Sequence, residues 1–401
     1  MLKLELNNVL LAVTPPLQTT LHDIQYRPVP DFANYVADLS KIYELATQFG
    51  NLEHFIIAGR GGSITGFQAL WGALGRFTTT KDVHILNTTD PERILYLKNR
   101  CPLYTTLFIL ISKSGTTVDL IEDFFSFSEY KKLIITEAGE GTLRQLAQRL
   151  DLHTVEHPNI GGRFSANTEC ALCPASILYI PIDQVHAGFT HIYDECHPNK
   201  TWQENPALQL ALALHLLEQK GYSEIYVPLY GEELYGFQEY IVQLMHETGC
   251  KQGQGQTFYT AMAPEAEHHT NQRFLGGKKN VAGLFLKVDQ HADAGVTRVP
   301  ESLRTIPLRN GSLGDIHDIP LTQTLQFEYQ GTLRDAMDLG IPTLTISLDK
   351  ITPYTVGELL GFWQYVAVYS AWLRGVNPFD QPAVENAKKI SFELRKNYGR
   401  V

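Results

Sequence analysis

Leu107 to Ile111 is an unbroken apolar run that stops abruptly at Ser112-Lys113-Ser114-Gly115-Thr116-Thr117. A run of that kind, with no alternation, reads as a parallel strand covered on both faces. Helical spacing opens directly behind it. Leu120, Ile121, Phe124 and Phe125 share a face, and Asp119 and Glu122 suit a first turn. Strand, turn and helix in that order place small hydroxyls, one glycine and one lysine beside a helix start. Unpaired N–H groups and the positive end of the helix dipole favour an anion there. The turn reads either as a phosphate cradle or as an ordinary Ser/Thr-capped connection.

The same alternation extends in both directions. His54–Ala58, Val83–Leu86, Lys132–Thr136 and a short run near Thr154 read as strands. Helical spacing separates them, from the glycine loop to Leu74, over Pro91–Lys98, to about Tyr130 and over Thr142–Leu150. A second set follows Trp202. It has helices over Leu208–Leu217, Leu234–Glu247, Glu265–Phe274 and Gly331–Leu339, and strands over Ser223–Pro228, Phe258–Met262, Ala282–Val288 and Thr343–Leu348. Thr355-Val-Gly-Glu358 reads as a capping box that opens a long apolar helix ending at Arg374. This order predicts an α/β fold of two doubly wound parallel-sheet domains, each a three-layer αβα unit. The expected boundaries are a helical amino-terminal arm at 1–50, with helical spacing over Asp31–Gln48, a first domain at 51–200, a second at 201–375 and a helical carboxyl-terminal tail at 376–401. Gln290–Gln323 is punctuated by prolines and reads as a surface excursion.

A net charge of −10 argues against a nucleic-acid partner and against an acidic membrane surface. It does not argue against a small anionic substrate, which local geometry decides. Hydrophobic residues at 44% and charged residues at 19% describe a globular chain with no disordered tract. No run would span a bilayer, and the amino terminus carries no basic region before an apolar core. With five scattered cysteines, the expectation is a reducing cytoplasm. Cys170-Ala-Leu-Cys173 has zinc-like spacing, but no second ligand pair follows, so the two read as packing cysteines.

Gly59-Arg60-Gly61-Gly62-Ser63 follows a strand as a dinucleotide fingerprint would, yet Ile64 stands where the third glycine belongs. Neither loop supplies the Gly-Lys-Ser/Thr of a P-loop. What remains is a close approach of backbone at a sheet's carboxyl edge, where open α/β folds bind ligands. Two such loops on one sheet suggest a phosphorylated small molecule held from two sides.

Five blocks in order resemble the glucose-6-phosphate isomerase family, which pairs two sugar-isomerase (SIS) domains. They are Gly59–Ser63, Ser112–Thr117, Gly161-Gly-Arg-Phe-Ser165, Glu247-Thr-Gly-Cys-Lys251 and Gly375-Val-Asn-Pro-Phe-Asp-Gln-Pro382. The resemblance runs from about residue 50 to the carboxyl terminus. It implies an aldose–ketose isomerase of glycolysis and gluconeogenesis acting on a sugar phosphate, with no cofactor or metal, as a homodimer. By the same resemblance Ser112, Lys113, Ser114 and Thr117 bind phosphate, and Gly62, Ser63 and Gln381 line the sugar site. Arg163 steadies developing negative charge, Glu247 is the base, and His269 and Lys388 assist ring opening. In the family the histidine comes from the neighbouring subunit. His268 adjoins His269 and Lys389 adjoins Lys388, and the resemblance alone selects between them.

Spacing supports Glu247 independently. Leu244 and Tyr240 lie three and seven residues earlier, so Glu247 leans toward the apolar face in the last turn of its helix. Arg60 and Ile64-Thr65 depart from the family pattern, as do Thr248-Gly-Cys250 and Glu267-His268. These departures bear on sugar specificity more than on reaction type. The alternatives are an isomerase that also accepts mannose 6-phosphate, and a sugar-phosphate-binding protein without catalysis. A nicotinamide dehydrogenase is disfavoured by Ile64.

Overall fold

The computed structural model describes residues 1–398, so the last three positions of the expected tail lie outside it. The chain opens with a strand, β1 (Leu2–Glu5), followed by helices α1 (Pro15–Ile24), α2 (Asp31–Asn34) and α3 (Leu39–Phe49). The arm is therefore more than one helix. The Asp31–Gln48 spacing is split at Tyr35–Asp38, where Asp38 turns to cap α3 by accepting from the Lys41 N–H. The first α/β set comprises β2 (His54–Gly59), α4 (Gly62–Leu70), β3 (Asp82–Leu86), α5 (Pro91–Arg100), β4 (Thr106–Ile111), α6 (Val118–Ser126), β5 (Lys131–Thr136), α7 (Thr142–Arg149) and β6 (His153–Glu156). Its five strands are parallel in the order β3-β2-β4-β5-β6.

Three helices cross from one sheet to the other: α8 (Glu169–Ile177), α9 (Ile182–Glu195) and α10 (Pro206–Gln219). The second set is β7 (Glu224–Tyr230), α11 (Phe237–Gly249), β8 (Thr257–Ala263), α12 (Thr270–Gly276) and β9 (Val281–Gln290). After it come a two-residue hairpin of β10 (Pro307–Leu308) and β11 (Gly311–Ser312), then α13 (Leu321–Asp338), β12 (Thr343–Lys350), α14 (Pro353–Leu373) and α15 (Glu385–Asn397). The second sheet runs β1-β12-β9-β7-β8, parallel except for β1, which pairs antiparallel with β12. In both sheets the order reverses beside the first strand of the set, between β2 and β4 and between β7 and β9.

Alternate residues of each strand feed different cores, as a period of two requires. Phe55, Ile57, Leu107 and Ile109 face a large central core shared with Ile225, Val227, Leu284 and Ile346 of the second sheet. Ile56, Ala58, Phe108 and Leu110 face outward onto Leu97 of α5, Leu120 and Phe124 of α6 and Leu143 of α7. Tyr226, Tyr230 and Phe285 pack outward on α12 and α13. The central core holds α14, buried from Thr355 to Leu373, which accounts for its lack of a polar face. Its cap differs from expectation. Thr352 and Thr355 form the capping box, Pro353 opens the helix, and Glu358 is buried in its first turns. α9 carries no motif and is not foreseen from the sequence, and α13 begins ten residues before the expected helix. No helix among the described residues is long and apolar enough to cross a membrane.

Candidate active site

The turn after β4 is built from its own hydroxyls. Ser112 Oγ lies 3.1 Å from Thr117 Oγ1 and accepts from the Gly115 N–H at 3.2 Å. Ser114 Oγ pairs with Thr116 Oγ1 at 3.0 Å. Gly115 takes a φ of +64°, and a Cβ there would meet Thr136 Oγ1 at 2.9 Å. The Leu143 and Glu137 N–H groups bind the carbonyls of Gly115 and Lys113 from below. This backing fixes the turn at the amino end of α6, and Lys113 Nζ, bound to Asn159 Oδ1 at 2.9 Å, adds a cation at its rim.

One strand away, β2 ends in the glycine loop, with Gly59 in register with Ile111. Gly61 has a φ of +52°, and a Cβ on Gly62 would stand 2.1 Å from the Arg163 nitrogen. Only bare backbone lets this loop lie directly on the Gly161–Arg163 segment. Arg163 is 4% exposed. Its Nε donates to Thr248 Oγ1 at 2.9 Å and its Nη1 to Gln381 Oε1 at 2.9 Å. Its Nη2 donates to the carbonyls of Pro378 at 2.5 Å and Asp380 at 3.1 Å. Burial draws its pKa down from the ordinary value, and Glu247 opposes that effect. A guanidinium tied on every side is a fixed positive charge.

Glu247 lies in the last turn of α11, its side chain about 29% exposed. Oε2 receives Arg163 Nη1 at 3.3 Å, and Oε1 receives Gln243 Nε2 at 3.0 Å. Gln243 is itself held by Thr65 Oγ1, which donates to its Oε1 at 2.8 Å. The carboxylate is thus steadied from both sides while part of it stays open to solvent. The loop after α14 closes the site. Lys251 Nζ donates to the Asp380 carbonyl and to Asp380 Oδ1, each at 2.7 Å, and to the Asn377 carbonyl.

Comparison with known proteins bears on the chain as a whole. A curated "Probable glucose-6-phosphate isomerase" of Methanococcus maripaludis is 28% identical over 369 residues, covering 89% of this chain and 82% of the relative. Other relatives carrying the isomerase name lie at 25–29% identity over about 90% of the chain. The chain is homologous to the glucose-6-phosphate isomerases. No protein-family model matches it. Among solved structures, a hypothetical protein from Thermus thermophilus superposes with a TM-score of 0.83 at 25% identity, covering 96% of this chain and 95% of that one. A glucose-6-phosphate isomerase from Chlamydia trachomatis superposes with a TM-score of 0.71 at 18% identity, covering 89% and 72%. The chain shares its two-sheet α/β architecture with both of these structures.

Glu247, Arg163, Gln381 and the Gly62–Ser63 loop meet in one place, beside the Ser112, Lys113, Ser114 and Thr117 turn. His269 and Lys388 do not join them within the chain. The carboxyl end of α11 meets the start of β8, where His246 Nε2 accepts from the Phe258 N–H at 2.8 Å. His269 lies past the other end of β8, where Tyr230 OH donates to the nearby Glu267 at 2.6 Å. Glu247 and His269 thus lie toward opposite ends of β8, a seven-residue strand about 20 Å long. Lys388 is exposed on α15 and pairs with Glu385 at 2.9 Å. Gln243, Thr65, Thr248 and Lys251 were not foreseen as site residues. Gln243 carried a signal in its spacing, four residues before Glu247 on the same helix face, and Thr248 and Lys251 in lying within the Glu247–Lys251 block. Cys170 and Cys173 are buried in α8, and burial raises both thiols, that of Cys170 to about 12.

Proposed function

We propose that this chain interconverts glucose 6-phosphate and fructose 6-phosphate through a cis-enediol(ate). The observation that carries the reading is the Glu247 carboxylate, clamped between Gln243 and Arg163, the two residues that pack on the glycine loop, with that loop one strand away from a hydroxyl-lined turn. The turn and the amino end of α6 hold the phosphate dianion and lay the first sugar carbons along the glycine loop. Glu247 removes the C2 proton and returns it at C1. Arg163, already desolvated and fixed, stabilises the negative charge that develops at O1 and O2. Gln381, bonded to Arg163, faces the same sugar oxygens. Ring opening falls to His269 of a second copy and to Lys388, which reaches the site if α15 closes over it. The placement of His269 and Glu247 toward opposite ends of β8 supports a homodimeric active unit.

The test is a coupled assay on glucose 6-phosphate and mannose 6-phosphate with wild type and Glu247→Gln. Wild type converts the glucose ester, and the variant loses about 10²–10⁴-fold in kcat while still binding substrate. Wild type inert toward the glucose ester, or a fully active variant, would sink the reading.

A further inference from the structure

Arg60 sits inside the glycine loop, yet its side chain turns away from the site. Its Nε donates to Asp119 Oδ2 at 2.5 Å and its Nη2 to Asp123 Oδ2 at 2.7 Å. Nη1 donates to the carbonyls of Gly59 at 3.2 Å and Leu86 at 3.1 Å, and Nη2 also reaches the Thr88 carbonyl at 3.4 Å. Asp119 stands two residues past Thr117 in the first turn of α6. Asp123, one turn further on, is 1% exposed. One planar group therefore fastens the carboxyl ends of β2 and β3 to the helix whose amino end forms the phosphate turn. Burial pushes the Asp123 carboxyl up to about 6, against the pull of Arg60, so the guanidinium is what holds that carboxylate charged. Pairing of β2 with β4 already fixes the strands, with Gly59 opposite Ile111. It does not fix the loop and the helix start that emerge beyond the strand ends.

We propose that Arg60, through Asp119 and Asp123, is a positioning residue that sets the distance between the Gly61–Ser63 sugar loop and the Ser112–Thr117 phosphate turn. A ligand that bridges the two half-sites is then held in reactive register. The proposal rests on the isomerase reading for what each half-site holds. It requires the fork of an arginine, because five contacts in one plane are beyond a lysine.

The test uses Arg60→Met combined with Asp123→Leu, which removes the buried pair without leaving a lone charge, together with Asp119→Asn and Arg60→Lys. Each is measured for melting temperature, for kcat and KM on the sugar phosphate, and for competitive inhibition by inorganic phosphate, which occupies the turn alone. The double variant is expected to lose about tenfold or more in kcat/KM, with kcat sharing the loss, while the phosphate inhibition constant moves less than about threefold. Asp119→Asn loses a smaller part, and Arg60→Lys keeps more activity than the double variant. An unchanged kcat/KM overturns the proposal, as does a phosphate inhibition constant that worsens in step with kcat/KM. Should the double variant not fold, Asp119→Asn decides, and unaltered kinetics there overturn it. If wild type converts no hexose phosphate, the isomerase reading fails separately. The clamp is then read from calorimetric affinities of fructose 6-phosphate and inorganic phosphate in the same variants, where selective loss of the sugar ester supports it and equal loss does not.

Discussion

His157 shows how a single side chain ties acid stability to the neighbourhood of the phosphate turn. It follows β6, is 1% exposed, and donates from Nδ1 to the Pro158 carbonyl at 2.7 Å. Its Nε2 has no partner among the described residues, and burial, with Lys113 nearby, pulls its pKa down to about 4. The unfolded chain therefore binds this proton more readily than the folded one, so stability is present above about pH 6.5 and is lost as pH falls toward 4. The loss is about 3 kcal/mol from this group alone. Chemical denaturation across pH 7 to 4 should show it, and His157→Asn, which keeps a donor for Pro158, should flatten that part of the curve. An equally steep curve in the variant would refute the assignment. Arg163 illustrates the opposite strategy, a buried charge whose donors are matched by carbonyls, a hydroxyl, an amide and one carboxylate.

Among the elements, α9 and α14 approach each other backbone to backbone. A Cβ on Gly188 would stand 2.0 Å from the Tyr354 carbonyl oxygen, and one on Gly357 would stand 2.1 Å from that of Val185. Both contacts are backbone, so the helices must separate to admit a methyl group. Gly357→Ala should destabilise the fold by about 1–3 kcal/mol or more, measured by urea unfolding, with the separation felt along the central core. A variant as stable as wild type would mean the pair has slack. Elements of this kind also show what the sequence could reveal. β2, β4 and β5 were legible because buried parallel strands are continuous apolar runs, and α6 because its amphipathic spacing follows directly. α9 did carry helical spacing, with Ile182, Val185, Phe189 and Ile192 on one buried face, but the role of its Gly188 was hidden because it serves Tyr354, far along the chain. β1 was hidden because a four-residue edge strand of alternating Leu, Lys, Leu and Glu has meaning only once β12 is beside it. At the site, glycine and arginine positions were readable from motif order. The contacts of Gln243 and Lys251 were not, since their partners Thr65 and Asp380 lie 178 and 129 residues away in the chain.

At the scale of the molecule, the two sheets share one core but divide the chemistry. The first sheet contributes the loops at its carboxyl edge, while the second presents the end of α11 from its amino edge and carries His269 on the far side. Mixing Glu247→Gln chains with chains bearing His269→Asn, each nearly inactive alone, should restore about a quarter of wild-type turnover after random re-pairing, because one site in each mixed dimer is intact. No recovery on mixing would rule out histidine supply from a second copy. The pairing of β1 with β12 carries a different consequence, for how the chain is made. The first sheet is complete in sequence by residue 156, but Leu2 cannot find Leu348 until almost 200 further residues have emerged. Until then the ribosome-borne chain holds β1 unsatisfied, and the edge it will protect does not yet exist. A form lacking residues 1–6 should keep the first sheet yet clump through the bare β12 edge, visible as concentration-dependent light scattering. A truncated form that stays dispersed would show that the edge needs no cover.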